Sequence, residues 1–129
     1  MGTVVQLKNQ INNSYSELKN SVDEKLALVE EKIKLKLSSK VSLVDEMTSY
    51  HLRTGGKRLR ALLTLGAAKI CGYSKGSRDV NLAACVELIH AATPMHDDVI
   101  DKSEIRRGEK TINSIWGNQS SILVGDYLL

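Results

Sequence analysis

The sequence is poor in aromatic residues, proline and cysteine, and each shortage excludes a class of protein. Its 129 residues include four Tyr, one Trp and no Phe, so the stacking platform of a single-stranded nucleic-acid binder is missing. A single Pro and many helix-forming residues predict an all-helical domain. Without Phe, its core must be built from Leu, Ile, Val and Ala.

Only two cysteines are present, Cys71 and Cys85. They are too few for a disulfide framework or a zinc site, and the pattern predicts two small buried thiols in a reducing compartment. No apolar run approaches the ~18 residues of a membrane span, and the N-terminus lacks the apolar core of a signal peptide. We therefore expect a cytoplasmic protein without a transmembrane segment.

The charge balance is nearly even, since 18 Lys and Arg against 15 Asp and Glu give a net charge of +3. This excess is too small to indicate nucleic acid as a partner. With 42% hydrophobic and 26% charged residues the composition is that of a folded domain and not of a disordered tail. The length suits one domain.

Hydrophobic residues recur at helical spacing along most of the chain. Over residues 4–37 we expect an interruption at Asn12–Asn13 and a helix start at one of two capping boxes, Ser14-x-x-Glu17 or Ser21-x-x-Glu24. The glycine turn Thr54-Gly55-Gly56 separates the next two helices. The further predicted helices are Ser42–Leu52, Lys57–Ile70 with a cap at Cys71–Gly72, Arg78–Asp101, and Thr111–Leu129 with a break at Gly117–Asn118; Lys102–Lys110 is a predicted loop.

Three carboxylates, Asp97, Asp98 and Asp101, cluster at the end of the predicted Arg78–Asp101 helix. Asp97 and Asp101 share a helix face, where like charges cost ~0.2–0.5 kcal/mol per pair and the helix dipole adds a further penalty. A divalent cation would remove both penalties. Magnesium takes one or two carboxylates and completes its shell with water and substrate phosphates, so the cluster predicts a metal-bridged diphosphate. The alternative is a solvated acidic helix end.

One stripe of this helix is more polar than its flanks, and its members are Glu87, His90, Pro94, Asp97 and Asp101. His90 lies two turns from Asp97, about 10 Å along the axis, which predicts a ligand-facing histidine; a purely structural histidine is the alternative. Pro94 predicts a kink because it removes one backbone donor.

Cationic residues occur where a diphosphate would need them. The segment Gly55–Arg60, GGKRLR, is a glycine turn opening a helix, whose free N–H groups and positive dipole end favour an anion. Lys57 and Arg60 are predicted to share a helix face, and Arg106-Arg107 follows the carboxylates with guanidinium groups suited to phosphate. Either segment alone would be interpreted as a solvated basic surface.

The segments GGKRLR, ELIHAATPMHDDVID, RRG and ILVGDYLL, in this order and spacing, resemble the trans-isoprenyl diphosphate synthases, most closely the long-chain octaprenyl type. The resemblance covers about Leu43 to Leu129. It implies an all-α, isoprenoid synthase-type helical bundle, of which residues 1–129 are the N-terminal part of a single domain. Residues 1–40 would form an N-terminal helix region, and residues 41–129 the substrate- and metal-binding helices.

The resemblance also implies a reaction, in which an allylic diphosphate ionises and the isopentenyl double bond attacks the cation. Mg²⁺ would be held by Asp97 and Asp101, with Asp98 in support, and these aspartates would be the catalytic residues. Isopentenyl diphosphate would be bound by Lys57, Arg60, His90 and Arg107, and the allylic diphosphate would contact Arg106. Small residues at Ala92 and Thr93, beside the expected path of the growing tail, would leave room for a long product.

Three departures from the family pattern limit this expectation. Ala61 and Pro94-Met95 replace a commoner Pro and Leu-Leu, and a second aspartate-rich motif and a Lys-Thr pair are absent. The chain also ends in an apolar helix without a cap, so we expect a piece of a longer enzyme, inactive alone and a homodimer when complete, with peripheral membrane contact through its product. The alternatives are a non-catalytic diphosphate-binding subunit of the same fold and a helical scaffold with a basic patch.

Overall fold

A computed structural model of the chain describes residues 2–53 and 57–129, and within these residues it contains seven helices and one short hairpin. The helices are α1 (Gly2–Ser21), α2 (Asp23–Leu37), α3 (Ser42–Arg53), α4 (Leu59–Ile70), α5 (Arg78–Ile100), α6 (Ile112–Trp116) and α7 (Asn118–Leu128). The antiparallel hairpin consists of β1 (Ile105–Arg106) and β2 (Glu109–Lys110). The predicted all-helical class is confirmed, although part of the predicted loop 102–110 forms this hairpin.

The first helical region bends at Val22, and the expected interruption at Asn12–Asn13 is wrong. Helix α1 runs through both asparagines, and Ser14 lies inside it. Ser21 donates its hydroxyl to the Leu18 carbonyl instead of capping the next helix. Val22 is 5% exposed, so the chain turns where a branched apolar side chain enters the core.

The other helix ends follow local signals closely. Gly72 has φ +79°, the left-handed conformation that glycine adopts readily at a helix C-terminus, and the Cys71 N–H donates to Ala67. Gly117 separates α6 from α7 as predicted. The predicted turn Thr54-Gly55-Gly56 lies outside the described residues.

Helix α5 is the centre of the bundle and packs against α2, α4 and α7. It is continuous through Pro94, and a kink there stays a prediction. The core is aliphatic, as the composition requires. Its most deeply buried side chains are Val29, Ile33, Met47, Ala61, Leu62, Leu65, Ala83, Ala92 and Met95.

Both cysteines are exposed, so the prediction of buried thiols is wrong. Cys71 follows the last turn of α4 and Cys85 lies on the solvent side of α5. The buried face of α5 at this level is filled by Ala83 and Ala84 instead. Among the described residues, no helix is both long and apolar enough to cross a bilayer.

Helices α5 and α7 approach closely where the His96 ring lies over Gly125. A Cβ on Gly125 would be 2.7 Å from Cδ2 of this ring and closer still to Nε2. The same Nε2 lies 3.3 Å from the Ile122 carbonyl and 3.2 Å from the Asp126 carboxylate. A side chain at position 125 would therefore force the His96 ring to move.

We expect Gly125→Ala to lower the free energy of unfolding by about 1–3 kcal/mol, because the added methyl group overpacks the contact. Urea denaturation measures the loss. In a His96→Ala background the obstacle is gone, and the same substitution should stabilise the chain by about 0.5–1 kcal/mol through the helix preference for alanine. An equal loss in both backgrounds would rule out the ring contact as the cause.

Candidate substrate-binding site

A cavity of about 340 Å³ lies where the end of α3, the start of α4, the middle of α5 and the hairpin meet. We call it the cationic cavity, because six Lys and Arg residues line it. They are Lys57, Arg58, Arg60, Arg106, Arg107 and Lys110. All five predicted substrate-binding residues, Lys57, Arg60, His90, Arg106 and Arg107, are brought together at this cavity.

Lys57 and Arg60 both line the cavity, but the secondary structure that positions them differs from the prediction. Helix α4 begins at Leu59, so Lys57 precedes it and the two residues do not share a helix face. Between them, Arg58 has φ +53°, a left-handed conformation that is unusual for a residue with a side chain. The turn at Arg58 therefore decides how both cations are presented.

The start of α4 was predicted to offer free N–H groups to an anion, and for Ala61 this is wrong. Its N–H donates to the Glu87 carboxylate of α5 at 2.9 Å. Glu87 is only 6% exposed. One position that a phosphate oxygen could have taken at this helix N-terminus is thus filled by a carboxylate of the chain itself.

The polar stripe of α5 divides into two faces. Glu87 and Asp98 are eleven residues apart, close to three helical turns, and both are buried together with Ala91 and Met95. His90 belongs to the accessible face, as do Asp97 and Asp101, whose side chains are exposed. Glu87 therefore lines the cavity from the buried face of α5, whereas His90 lines it from the more accessible side.

Asp98 is paired with Arg106 of β1, in contrast to its two neighbouring aspartates. The Asp98 side chain is 7% exposed, and Arg106 donates to it at 2.7, 3.0 and 3.1 Å. Hydrogen bonding to Asp98 raises the pKa of Arg106. Asn113 of α6 adds a bond to the Asp98 carbonyl at 3.3 Å. This pair ties the hairpin to the end of α5.

Two histidines at the cavity have pKa values displaced by their surroundings. Burial, followed by the charges of Arg58, His90 and Arg107, lowers the pKa of His51 to about 4. Burial and then the charge of Arg60 lower the pKa of His90, while Glu87 opposes this effect. The cavity therefore holds neutral imidazoles near pH 7 and a positive potential, which suits an anionic ligand.

The exposed carboxylates of Asp97 and Asp101 fit a magnesium ion whose coordination shell is completed by water and substrate. Within the described residues no three His, Cys, Asp or Glu side chains are placed to form a metal cage. Magnesium needs only one or two protein carboxylates when water and substrate phosphates supply the remaining oxygens. The donor chemistry of this pair meets that requirement, whereas the Asp98 carboxylate is already bonded to Arg106.

Ala92 and Thr93 do not line the cationic cavity. Ala92 is completely buried in the core, whereas Thr93 is exposed and donates its hydroxyl to the Ile89 carbonyl. The two residues therefore lie on different sides of α5. Their predicted role in product length stays a prediction.

Three notable residues of the cavity, His51, Arg58 and Glu87, had no individual role predicted from the sequence. The eleven-residue spacing of Glu87 and Asp98, with Ala91 and Met95 between them, was a signal that these carboxylates are buried. His51 and Arg58 had no such signal, because their positions depend on the packing of α3 and α4 against α5.

The family model described as polyprenyl synthetase matches residues 41–129. The all-trans-nonaprenyl-diphosphate synthase (geranyl-diphosphate specific) of Rhodobacter capsulatus is 42% identical over 108 residues, covering 84% of this chain and 33% of that protein. The octaprenyl diphosphate synthase of Escherichia coli is 45% identical over 92 residues, 71% of this chain and 28% of the relative. The chain spans about a third of the length of the curated relatives it matches.

Solved structures agree with these sequence relatives. The decaprenyl diphosphate synthase of Rhodobacter capsulatus aligns with a TM-score of 0.80 and 46% identity, over 88% of this chain and 35% of that one. A polyprenyl synthase of Caulobacter crescentus, solved with calcium and isoprenyl diphosphate, aligns with a TM-score of 0.81 and 39% identity over 88% and 34%. The isoprenoid synthase-type bundle predicted from the sequence is confirmed.

Proposed function

We propose, because this chain belongs to the polyprenyl synthetase family, that it carries the first substrate-binding part of a trans-prenyltransferase. The reaction condenses isopentenyl diphosphate with an allylic diphosphate to give a long-chain polyprenyl diphosphate of octaprenyl type. The observation that carries this proposal is the convergence of Lys57, Arg60, His90 and Arg107 on one cavity.

The cationic cavity is the proposed site of isopentenyl diphosphate. Lys57, Arg60 and Arg107 bind the diphosphate oxygens through charge-assisted hydrogen bonds. His90 stays neutral near pH 7 because burial and the Arg60 charge lower its pKa, so it can still donate one ring N–H. Arg106 contributes to the potential, although its guanidinium is already bonded to Asp98.

The exposed face of Asp97 and Asp101 is the proposed site of the allylic diphosphate. These carboxylates would hold Mg²⁺, which when bound neutralises the leaving diphosphate as negative charge develops on it. The C–O bond of the allylic diphosphate breaks, the isopentenyl double bond forms the new C–C bond, and a proton is then lost. The aspartates orient the leaving group, and the cavity orients the attacking alkene.

The remaining assignments follow from the same family. The whole of residues 1–129 belongs to one domain, with 1–40 as an N-terminal helix region and 41–129 as the binding helices. We propose a cytoplasmic enzyme that is a homodimer when complete and contacts the membrane periphery through its product. Ala92 and Thr93 border the path of the growing tail. These 129 residues alone bind diphosphates without turnover.

Calorimetric titration of this chain tests the proposal. Isopentenyl diphosphate should bind without metal, and Lys57→Ala or Arg60→Ala should weaken it about tenfold, or roughly 1.4 kcal/mol. Mg²⁺ should strengthen binding of geranyl diphosphate by about the same factor, and this gain should vanish in Asp97→Asn/Asp101→Asn.

A matched control is Glu24→Gln/Glu31→Gln, which neutralises two exposed carboxylates of α2 and should retain the Mg²⁺ gain. Isopentenyl diphosphate binding without any Mg²⁺ effect would favour the non-catalytic diphosphate-binding subunit instead. If neither diphosphate binds, the proposed site is wrong.

A further inference from the structure

A buried carboxylate stands in the wall of a cavity that is otherwise suited to an anion. Glu87 has one oxygen 2.9 Å from the Ala61 nitrogen and the other 3.7 Å from Nη1 of Arg58. Its negative charge opposes binding of a diphosphate nearby, because like charges repel strongly where water is scarce. If a diphosphate binds here, another effect of Glu87 must outweigh this repulsion.

Arg58 is bonded from a second side as well. Its Nε donates to Glu30 of α2 at 2.6 Å, and Nη2 lies 3.5 Å from the other oxygen of that carboxylate. Carboxylates of two different helices thus hold one guanidinium. We call these three residues, Glu30, Arg58 and Glu87, the Arg58 brace.

The brace surrounds a residue whose backbone conformation is strained. At φ +53° Arg58 is in the left-handed region, which is unfavourable for a residue with a side chain. Lys57 immediately precedes this turn and Arg60 follows it by two residues. Glu87 also accepts a hydrogen bond from Ala61 in the first turn of α4. It therefore contacts the chain between the two cations, at Arg58, and just after them, at Ala61.

We propose that Glu87 is a positioning residue for diphosphate binding, acting through Arg58 and Ala61 to present Lys57 and Arg60 to the cavity. This inference rests on the proposed function. Glu87 itself makes no contact with the ligand. Its contribution through position exceeds the electrostatic penalty of its charge.

The sign of one substitution separates positioning from simple charge balance. Glu87→Gln keeps the size of the side chain and an oxygen for the Ala61 N–H but removes the charge that holds Arg58. If Glu87 only balanced charge, its loss would strengthen anion binding. If it positions the cations, its loss weakens binding, and we expect the affinity for inorganic pyrophosphate, measured by calorimetry without metal, to fall about 5- to 20-fold.

The matched control is Glu109→Gln, which removes another carboxylate from the lining of the same cavity. Glu109 lies on β2 and, within the described residues, forms no hydrogen bond or ion pair with Arg58 or Ala61, so its loss should leave pyrophosphate affinity unchanged or raise it. A parallel fall in both variants would show that replacing any carboxylate of the lining disturbs the cavity, and would overturn the inference.

Arg58→Lys tests the brace from its other side and decides the question if Glu87→Gln fails to fold by circular dichroism. It keeps the positive charge but cannot reach both carboxylates with one planar fork, and the affinity should fall by a similar factor. The double variant Arg58→Lys/Glu87→Gln should bind pyrophosphate as tightly as whichever single variant has the lower affinity, since both substitutions disrupt the same brace.

Failure of the inference differs from failure of the proposed function. If the unaltered chain binds pyrophosphate more tightly than Lys57→Ala does, and Glu87→Gln and Arg58→Lys bind as well as the unaltered chain, only the inference is overturned. If the unaltered chain and Lys57→Ala bind pyrophosphate equally or not at all, the proposed site is wrong, and the inference that rests on it is wrong too.

Discussion

Arg106→Met is expected to lower the free energy of unfolding of this chain by about 2–4 kcal/mol. The substitution leaves the Asp98 carboxylate, only 7% exposed, without the guanidinium that donates to it at 2.7 Å. Removing one partner of a buried ion pair costs about 3–5 kcal/mol. Because the Arg106 side chain is 46% exposed, water can partly replace it, and we place the expected loss lower. Urea denaturation at pH 7 measures it.

Two further variants show whether the loss comes from the ion pair. Asp98→Asn leaves a half-exposed guanidinium that water can solvate, so it should cost less than Arg106→Met, about 1 kcal/mol. Arg107→Met changes the adjacent cation, which is exposed, and should stay within about 0.5 kcal/mol of the unaltered chain. Similar losses for Arg106→Met and Arg107→Met would contradict the asymmetry that the pairing with Asp98 predicts.

The expected loss of stability affects how a functional role for Arg106 can be tested. The family resemblance implies contact with the allylic diphosphate, whereas the structure bonds Arg106 to Asp98 and anchors the hairpin to α5. A loss of activity on replacing Arg106 would therefore not by itself establish a substrate contact. Stability and diphosphate affinity must be measured on the same variant.

The helices could be predicted from sequence because their signals are local. Periodic apolar residues placed α3, α5 and α7 within one or two residues, Gly72 marked the end of α4, and Gly117 marked the boundary between α6 and α7. A helix start near Val22 was one of the two predicted alternatives, through the box Ser21-x-x-Glu24, but Ser21 does not cap the helix, and the bend depends on a core that α2, α4 and α5 build together. The start of α4 at Leu59 depends in the same way on the contacts of Arg58 with Glu30 and Glu87.

The sequence predicted which residues belong to the candidate site, but not which of them are bonded to one another. Residue type and spacing gathered the cations and carboxylates that line or flank one cavity. They could not show that Glu87 caps α4 or that Asp98 is bonded to Arg106, since those partners are set by how α4 and the hairpin pack on α5. Carboxylates that look equivalent along a helix differ once one face is buried.

Replacing His51 should change how the free energy of unfolding depends on pH. We expect this effect to be the largest after that of Arg106→Met. Burial and nearby cations lower the pKa of His51 from its usual 6.5 to about 4. Between these values the unfolded chain binds a proton at His51 that the folded chain does not, so the contribution of His51 to stability is lost as the pH falls from about 6.5 to 4. One pKa unit corresponds to ~1.4 kcal/mol, which gives roughly 3 kcal/mol over this window.

His51→Gln removes this term without changing the net charge near pH 7. We expect the stability of the variant, relative to the unaltered chain, to rise by up to roughly 3 kcal/mol between pH 7 and pH 4, whatever its offset at pH 7. Urea denaturation at several pH values gives the difference curve, and an NMR titration of the His51 ring gives the pKa directly. His90→Gln should show a difference of the same sign, because the pKa of His90 is lowered as well. A His51 ring that titrates near 6.5, together with a flat difference curve, would mean that burial and the neighbouring cations do not lower the pKa of His51, and the positive potential proposed for diphosphate binding would lose its support.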